Sequence, residues 1–404
     1  MGLGAVTSAD EPAVSGRPTT TVSADQDEEG HVPDIAVIFG GPSPEHDVSV
    51  LTGLQAAREL VEDPVPSTGS VRALYWSKTG AWFEVDPRAE ATAFVDGVPK
   101  GATALQLSLG DGGGFSSSAG RLGRARPIDL DVAVVCCHGG PGEDGTLQAA
   151  LDLAEVPYTG PTVAGAALAM DKLAFGAAAA GGGLPTLPRV LLTPTTTELP
   201  FDGPYILKPR FGGSSIGIDV VADLGTARDR LRANRHLAMG AVVEPYRADL
   251  FDLQVAVRSW PELACSAIER PIRRGAGADI LDYRDKYVPG EGMAGAPREL
   301  PARLPGGLAA ALVAASRQVA AIVGVRGVAR IDFLSDGASF VVNEVNSIPG
   351  SLGRYLWVDP VVPFSRLLGD LMAEARSRPT HGYSAQGADG TVLRSAGSIA
   401  AKLG

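Results

Sequence analysis

The segment Ala329–Gly350, ARIDFLSDGASFVVNEVNSIPG, constrains the fold of this chain more than any other. It reads as a β-hairpin followed by a turn, with apolar and polar residues alternating on both arms. Arg330 and Asp332 are two apart on the first arm, and Glu344 and Asn346 are two apart on the second. Side chains two apart in a strand share a face. The two polar faces coincide if the loop around Ser335–Ser339 has an odd number of residues, so that position 332 meets an even-numbered partner such as 342 or 344. Hairpin loops of about three or five residues containing a glycine such as Gly337 are common.

In that register a guanidinium, two carboxylates and an amide crowd one patch, with cross-strand neighbours roughly 5 Å apart. Two carboxylates and an amide oxygen are what octahedral Mg²⁺ takes from a protein when substrate phosphates supply the remaining oxygens. An arginine beside them suits a phosphoryl oxygen or an oxyanion. An ordinary amphipathic hairpin with a solvated polar face satisfies the same pattern, so the rest of the chain decides.

With 404 residues, 45% of them hydrophobic, the chain has enough material for about two or three domains with a sizeable core. The net charge of −11 argues against nucleic acid or an anionic membrane as the main partner. An anionic substrate must then meet a local basic pocket. Cys136, Cys137 and Cys265 are odd in number and two are adjacent in an apolar run, which points to buried reduced thiols. Met1–His31 carries six acidic residues and one Arg, with no basic start and no apolar core, and reads as a disordered tail rather than a signal peptide. No run of 18 apolar residues occurs, so a cytoplasmic protein with no membrane partner is expected.

Asp34–Phe39 reads as a buried strand that runs through Gly40-Gly41-Pro42-Ser43-Pro44-Glu45-His46 into a helical pattern. Strand, glycine turn and helix N-terminus open a Rossmann-like α/β unit, although G-x-G-x-x-G is absent. Glu45 there also suits the helix dipole alone. A sheet edge is expected at Val71–Trp76, a flexible Gly/Ser-rich loop over 101–126, and a central parallel strand over Asp131–Cys137. That strand ends in His138-Gly-Gly-Pro-Gly-Glu-Asp-Gly145, where His138, Glu143 and Asp144 suit a site or simply turn and cap chemistry. Met170-Asp171-Lys172 starts an Ala-rich helix. Pro204–Pro209 is a strand carrying Lys208, and Arg210–Gly217 is a Gly/Ser loop able to close over phosphates. The Lys precedes the glycines, so this is no Walker loop. Val242–Tyr246, Phe251–Arg258 and Leu263–Glu269 read as strands, 282–305 as a lid, Leu308–Gly324 as an amphipathic helix and Pro360–Ala375 as the last helix.

Taken together, seven collinear segments resemble the D-alanine–D-alanine ligase family of ATP-grasp enzymes, from about Asp34 to Ala375. They are FGGPSPEHDVSV (39–50), CCHGGPGEDGTLQAALD (136–152), YTGPTVAGAALAMDK (158–172), ILKPRFGGSSIGI (206–218), DYRDKY (282–287), ARIDF (329–333) and NEVNSIPG (343–350). The resemblance implies an α/β chain with an ATP-grasp fold, two α+β subdomains sandwiching ATP, preceded by a Rossmann-like N-terminal α/β domain. The expected division is an acidic tail at 1–33, the N-terminal substrate domain at 34–165, a small ATP-grasp lid subdomain at 166–250, the catalytic subdomain at 251–376 and a weakly ordered tail at 377–404.

Carried over by position, the resemblance puts ATP phosphates on Lys172 and Lys208 under the Ser214, Ser215 and Gly217 loop. Adenine and ribose fall to Glu244 and Asp252, and two Mg²⁺ (or Mn²⁺) to Asp332, Glu344 and Asn346. Glu45, Ser214 and Tyr287 are implied for the first D-alanine, Arg330 and the Gly350 N–H for the oxyanion. Lys286 is implied for the carboxylate of the second substrate, and His138, Tyr355 and Leu356 for substrate binding. The implied activity is ATP-dependent joining of two D-alanines for peptidoglycan, by a homodimer acting on small amino acids. Where the family carries a small hydroxyl residue, the run Ser351–Trp357 here places Tyr355. A ligase with another amino-acid or hydroxy-acid acceptor therefore stays open, as does a nucleotide-binding regulator that no longer turns over.

Overall fold

The computed structural model describes residues 33–64, 69–117, 125–272, 297–378, 380, 382 and 384–397. Strand β1, Ile35–Gly40, is apolar and wholly buried. Helix α1, His46–Glu62, lies on it closely because residue 53 is glycine: a Cβ there would stand 2.3 Å from Phe39 Cβ. β2 (Val71–Trp76) runs parallel to β1. An antiparallel meander follows through β3 (Trp82–Val85), β4 (Thr103–Ser108), β5 (Gly114–Ser117) and β6 (Arg126–Pro127). β7, Val132–Val135, returns parallel to the other side of β1, giving the order β6-β5-β4-β3-β2-β1-β7.

Three sequence expectations change here. Val71–Trp76 is interior to the sheet, flanked by β1 and β3. The run at 131–137 is the last strand on its side, and it is kept from solvent partly by a parallel bridge from Ala133 to Tyr158. The stretch 101–126 is a sheet extension rather than a loop: Leu107 pairs with Phe115, and Leu105 and Phe115 are buried. Each such burial is worth roughly 1.5–3 kcal/mol, enough for a few well-placed apolar residues to outweigh a glycine-rich background. Positions 118–124 of that stretch lie outside the described residues.

Helices α2 (Thr146–Leu153), α3 (Val163–Met170) and α4 (Lys172–Gly181) follow, and the Asp171 carboxylate caps α4 by accepting from Leu173 and Ala174 N–H. A second sheet, ordered β10-β9-β11-β8, is antiparallel throughout. It comprises β8 (Val190–Leu192), β9 (Tyr205–Pro209), β10 (Asp219–Val221) and β11 (Ala241–Pro245), with α5 (Leu224–Ala233) packed beside it.

The third sheet contains β12 (Phe251–Arg258) and β13 (Ala264–Cys265). The strand expected over 263–269 thus shrinks to β13 and one bridge, Gln254 to Glu269. β14 (Arg270–Pro271) and β15 (Arg298–Glu299) form a small ribbon. Helix α6, Gly306–Val323, has a mean hydropathy of 1.5 and is long and apolar enough to cross a membrane by length and composition. Its Leu312, Val319 and Val323 instead pack into the core under β12, while Arg317 and Gln318 bond the carbonyls of Leu263 and Gly182.

β16 (Val328–Ser335) and β17 (Phe340–Asn346) complete the sheet, ordered β13-β12-β16-β17. Ser335 pairs with Phe340, so the hairpin loop is Asp336–Ser339, even in number where an odd number was expected. Asp336 explains the tight turn, since its carboxylate accepts from Ala338 and Ser339 N–H. The parity comes from a bulge: the register slips between Phe333↔Val342 and Asp332↔Glu344, leaving Asn343 as the extra residue. Arg330 thereby faces Asn346, and Asp332 faces Glu344.

A 3-10 turn at Gly350–Leu356 leads to α7 (Phe364–Ser377), whose Leu367, Leu368 and Leu371 enter the same core as β1 and β7. It is not the last helix, because an exposed α8 (Thr391–Ala396) follows. Cys136 and Cys137 are buried free thiols and Cys265 is a half-buried one. Apart from Pro33, the expected acidic tail lies outside the described residues, as do 398–404.

Candidate active site

Two antiparallel sheets face each other across a cleft lined among others by Lys172, Lys208, Glu244, Asp252, Asp332 and Glu344. A smaller chamber is lined by Glu45, Glu143, Lys172, Gly213, Glu344 and Asn346. Lys172, Gly212, Gly213 and Glu344 border both spaces.

The hairpin supplies the acidic wall. Arg330 grips Asp332 with two hydrogen bonds, Nε to Oδ1 at 2.7 Å and Nη2 to Oδ2 at 2.8 Å. The Asn346 side-chain amide donates to Asp332 Oδ2 at 3.2 Å, which leaves its own Oδ1 as an acceptor. Gln254, one strand over on β12, reaches the same Oδ2 at 3.5 Å. Two carboxylates and an amide oxygen on one face form a hard oxygen donor set that fits Mg²⁺ or Mn²⁺ once substrate oxygens complete the shell. Among the described residues there is no group of three His, Cys, Asp or Glu able to hold a metal ion unaided.

The basic wall comes from the two lysines. Asp171, which caps α4, is itself held by Arg210 at 2.9 and 2.5 Å. That fixes the adjacent Lys172, whose ammonium donates to the Gly212 carbonyl and lies 3.8 Å from Glu344 Oε2. Burial lowers the Lys172 pKa, with the Lys208 and Arg189 charges adding to the effect and Glu344 opposing it. Lys208 on β9 donates to Glu244 Oε2 at 2.8 Å and to Asn343 Oδ1 at 3.0 Å. Burial pushes the Glu244 carboxyl up, but the Lys208 and Arg189 charges together hold it below its usual value. Glu244 Oε1 is buried against Arg189 Nε at 3.0 Å, a charge pair off the hydrogen-bonding axis.

The Gly/Ser loop spans the junction of cleft and chamber. Ser214 and Ser215 adopt left-handed φ values of 52° and 59°, and Gly217 sits at φ 80° with His236 against it. Within this turn the Ser214 hydroxyl donates to Glu45 Oε1, across 169 positions of sequence. Ser215 lines the cleft.

His138 and Glu143 form a support layer. The Ile348 carbonyl can only accept, so His138 Nδ1–H donates to it at 2.7 Å; in the neutral ring Nε2 then accepts from the Thr52 hydroxyl at 2.8 Å, and Thr52 Oγ1 accepts from the Ser351 N–H at 3.0 Å. Burial drives the His138 pKa down to about 4, which keeps the ring neutral in this chain of bonds. Both ring nitrogens are thus engaged with the Ile348–Ser351 turn and Thr52. Glu143 accepts from Gly139 and Ile348 N–H at 2.9 and 3.1 Å, while burial and then the nearby Glu45 charge raise it to about 7.

Gly350 opens the turn in which Ser351, Leu352 and Gly353 are left-handed, and is buried. Burial pushes the Tyr355 phenol up to about 12, with the nearby Arg330 charge opposing the rise. Arg298 stacks 5.0 Å from the Tyr355 ring centroid and pairs with Glu269 at 3.0 Å. Leu356 is fully buried in the core shared with β1 rather than exposed in the cleft. Asp252 lines the cleft from β12. Lys286 and Tyr287 lie outside the described residues.

Two residues of this wall escaped sequence reasoning. Asn343 hides because nothing local announces a bulge. Arg189 stands just before an apolar strand, Val190–Leu192, where a single cation reads as surface, yet its side chain is only 4% exposed.

Residues 34–161 match the family profile of the D-ala D-ala ligase N-terminus, and 193–357 that of the D-ala D-ala ligase C-terminus. A D-alanine–D-alanine ligase from Parasynechococcus marenigrum is 31% identical over 372 residues, covering 84% of this chain and 98% of that protein. Among solved structures, D-alanyl-alanine synthetase A from Vibrio cholerae aligns with a TM-score of 0.71 at 21% identity, over 86% of this chain and 99% of that one. VanG D-Ala:D-Ser ligase from Enterococcus faecalis aligns at 0.68 and 23% identity, over 85% and 99%. At those identities the two structures speak for the fold alone.

Proposed function

The chain belongs to the D-alanine–D-alanine ligase family and is a ligase of ATP-grasp fold with a Rossmann-like N-terminal domain, and from that premise we propose that it joins two D-alanines into D-alanyl-D-alanine, forming ADP and phosphate, for peptidoglycan synthesis. The observation that carries this reading is the shared wall. Lys172 and Glu344 border both the cleft between the two sheets and the smaller chamber that holds Glu45. A terminal phosphate drawn to Lys172 and Lys208 would therefore face the carboxylate of an amino acid whose ammonium is held by Glu45.

In the first step a carboxylate oxygen attacks the γ-phosphorus, the bond to the ADP oxygen breaks, and an acyl phosphate forms. Phosphoryl transfer asks mainly for positioning and charge neutralisation, which the two buried lysines provide. Mg²⁺ or Mn²⁺ held by Asp332, Glu344 and Asn346 would add the remaining neutralisation of phosphate charge. In the second step the neutral amine of the acceptor attacks the acyl carbon, the ammonium proton having been lost. Arg330 and the Gly350 N–H face the oxyanion, and phosphate then leaves with the C–O bonding pair. Glu244 and Asp252 would hold adenine and ribose. The sheet at 190–245, within a lid subdomain spanning 166–250, would cover the nucleotide and help exclude water that hydrolyses acyl phosphates; of the lid expected at 282–305, residues 282–296 lie outside the described residues. Free buried thiols and ATP dependence fit the cytoplasm, and a homodimer is the assembly the family likeness suggests.

One observation favours a second reading. Tyr355 lies near the Arg330 charge with Arg298 over its ring, so an acceptor held beside Arg330 would meet an aromatic ring, which suits an acceptor other than D-alanine. The deciding experiment is ADP and phosphate release with Mg-ATP and D-alanine alone, with mass spectrometry of the product. One phosphate per D-alanyl-D-alanine establishes the first reading. Turnover that waits for another amine or hydroxy acid establishes the second.

A further inference from the structure

We propose that Arg189 is a positioning residue of the nucleotide site, which through Asn343 and Glu244 aims the Lys208 ammonium and anchors the backbone of Lys172. The inference rests on reading the two lysines as phosphate ligands and goes one layer behind them.

Arg189 lies where three elements converge. Its Nη1 donates to the Lys172 carbonyl at 2.8 Å, at the start of α4, and its Nη2 donates to the Asn343 carbonyl at the bulge of β17. Its Nε stands 3.0 Å from Glu244 Oε1 on β11, near enough for a charge pair but off the hydrogen-bonding axis. One planar guanidinium thus ties the helix of one lysine, the strand facing the other and the acidic hairpin. A lysine side chain, with a single nitrogen, cannot span those three directions.

The consequence appears at Lys208. An ammonium has three N–H donors, and Lys208 commits two of them, to Glu244 Oε2 and Asn343 Oδ1. One donor is left for a phosphate oxygen, and its direction follows from the other two. Glu244 is held from its second oxygen by Arg189, and Asn343 is held by its backbone carbonyl, so both partners of Lys208 are set by the same residue. The Asn343 bulge therefore serves twice: it brings Glu344 opposite Asp332 and delivers an acceptor to Lys208.

The test is the affinity of full-length protein for the Mg²⁺ complex of a non-hydrolysable ATP analogue, by calorimetry, alongside steady-state KM values. Arg189→Met should weaken binding by about tenfold or more, the scale of one well-placed hydrogen bond to a charged group, with the KM for D-alanine moved by less than about twofold. Asn343→Leu should weaken binding in the same direction. The double variant should be no worse than the weaker-binding single one, because the two act through one ammonium. Arg189→Lys keeps the charge opposite Glu244 but loses the two carbonyl bonds, so it should recover thermal stability without recovering affinity. Analogue affinity within about twofold of wild type in folded Arg189→Met or Asn343→Leu overturns the inference. If Arg189→Met does not fold, Asn343→Leu decides alone. Failure of the wild type to bind the analogue overturns instead the nucleotide reading beneath it.

Discussion

Asp332 stands directly opposite Glu344 across the β16–β17 pair, and Asn343, one residue out of the ladder, is what puts them there. With a four-residue loop and no bulge, Asp332 would face position 343, and both Glu344 and Asn346 would turn to the other side of the sheet. The metal-competent face therefore depends on a local irregularity.

Glu344→Gln removes one of the two carboxylates of that face while keeping its size. Mg²⁺-dependent phosphate release should fall by about two orders of magnitude or more, with the circular dichroism spectrum intact. Activity within about tenfold of wild type would remove Glu344 from the metal assignment.

Glu45→Gln tests the chamber end. The charge that would hold a substrate ammonium disappears while the Ser214 contact retains an acceptor. The KM for the first D-alanine should rise by about ten- to a hundredfold, as expected for a lost charge-assisted hydrogen bond. The KM for ATP should stay near its original value, and equal rises in both would speak for a distorted loop rather than a lost ligand.

His138 predicts an acid limb of stability. Its pKa is about 4 in the folded protein against 6.5 for the free side chain, so between those values the unfolded chain binds the extra proton. The stabilisation is whole above pH 6.5 and is lost as the pH falls to about 4, to a limit of about 3 kcal/mol. Urea denaturation of wild type and His138→Gln across this range should show the gap between them narrowing towards acid. A constant gap would contradict the buried neutral ring.

Gly217→Ala probes the Gly/Ser loop proposed to close over the phosphates. At φ 80° an L side chain costs about 1–2 kcal/mol. The new Cβ would also stand 2.5 Å from His236 Cβ, so the loop must move. Denaturation should report the loss of stability, and the KM for ATP should increase. An unchanged KM would mean that the loop does not touch the nucleotide.

What the sequence determined by itself was local chemistry. Alternation placed Arg330, Asp332, Glu344 and Asn346 on strands, the position of Lys208 before its glycines marked a strand lysine followed by a Gly/Ser turn, and Asp171 marked a helix start. These follow from side-chain periodicity and capping, which act within a few residues. The tertiary structure alone decided how distant parts meet: His138 on the Ile348 carbonyl, Ser214 on Glu45, and Arg189 among Lys172, Glu244 and Asn343. It also decided that the glycine-rich stretch 101–126 carries strands, because Leu105 and Phe115 find a core only when the sheet is assembled. The physical reason is the same in each case. Burial and charge pairing depend on what packs against a residue, and that partner is set by the folded chain rather than by its neighbours in sequence.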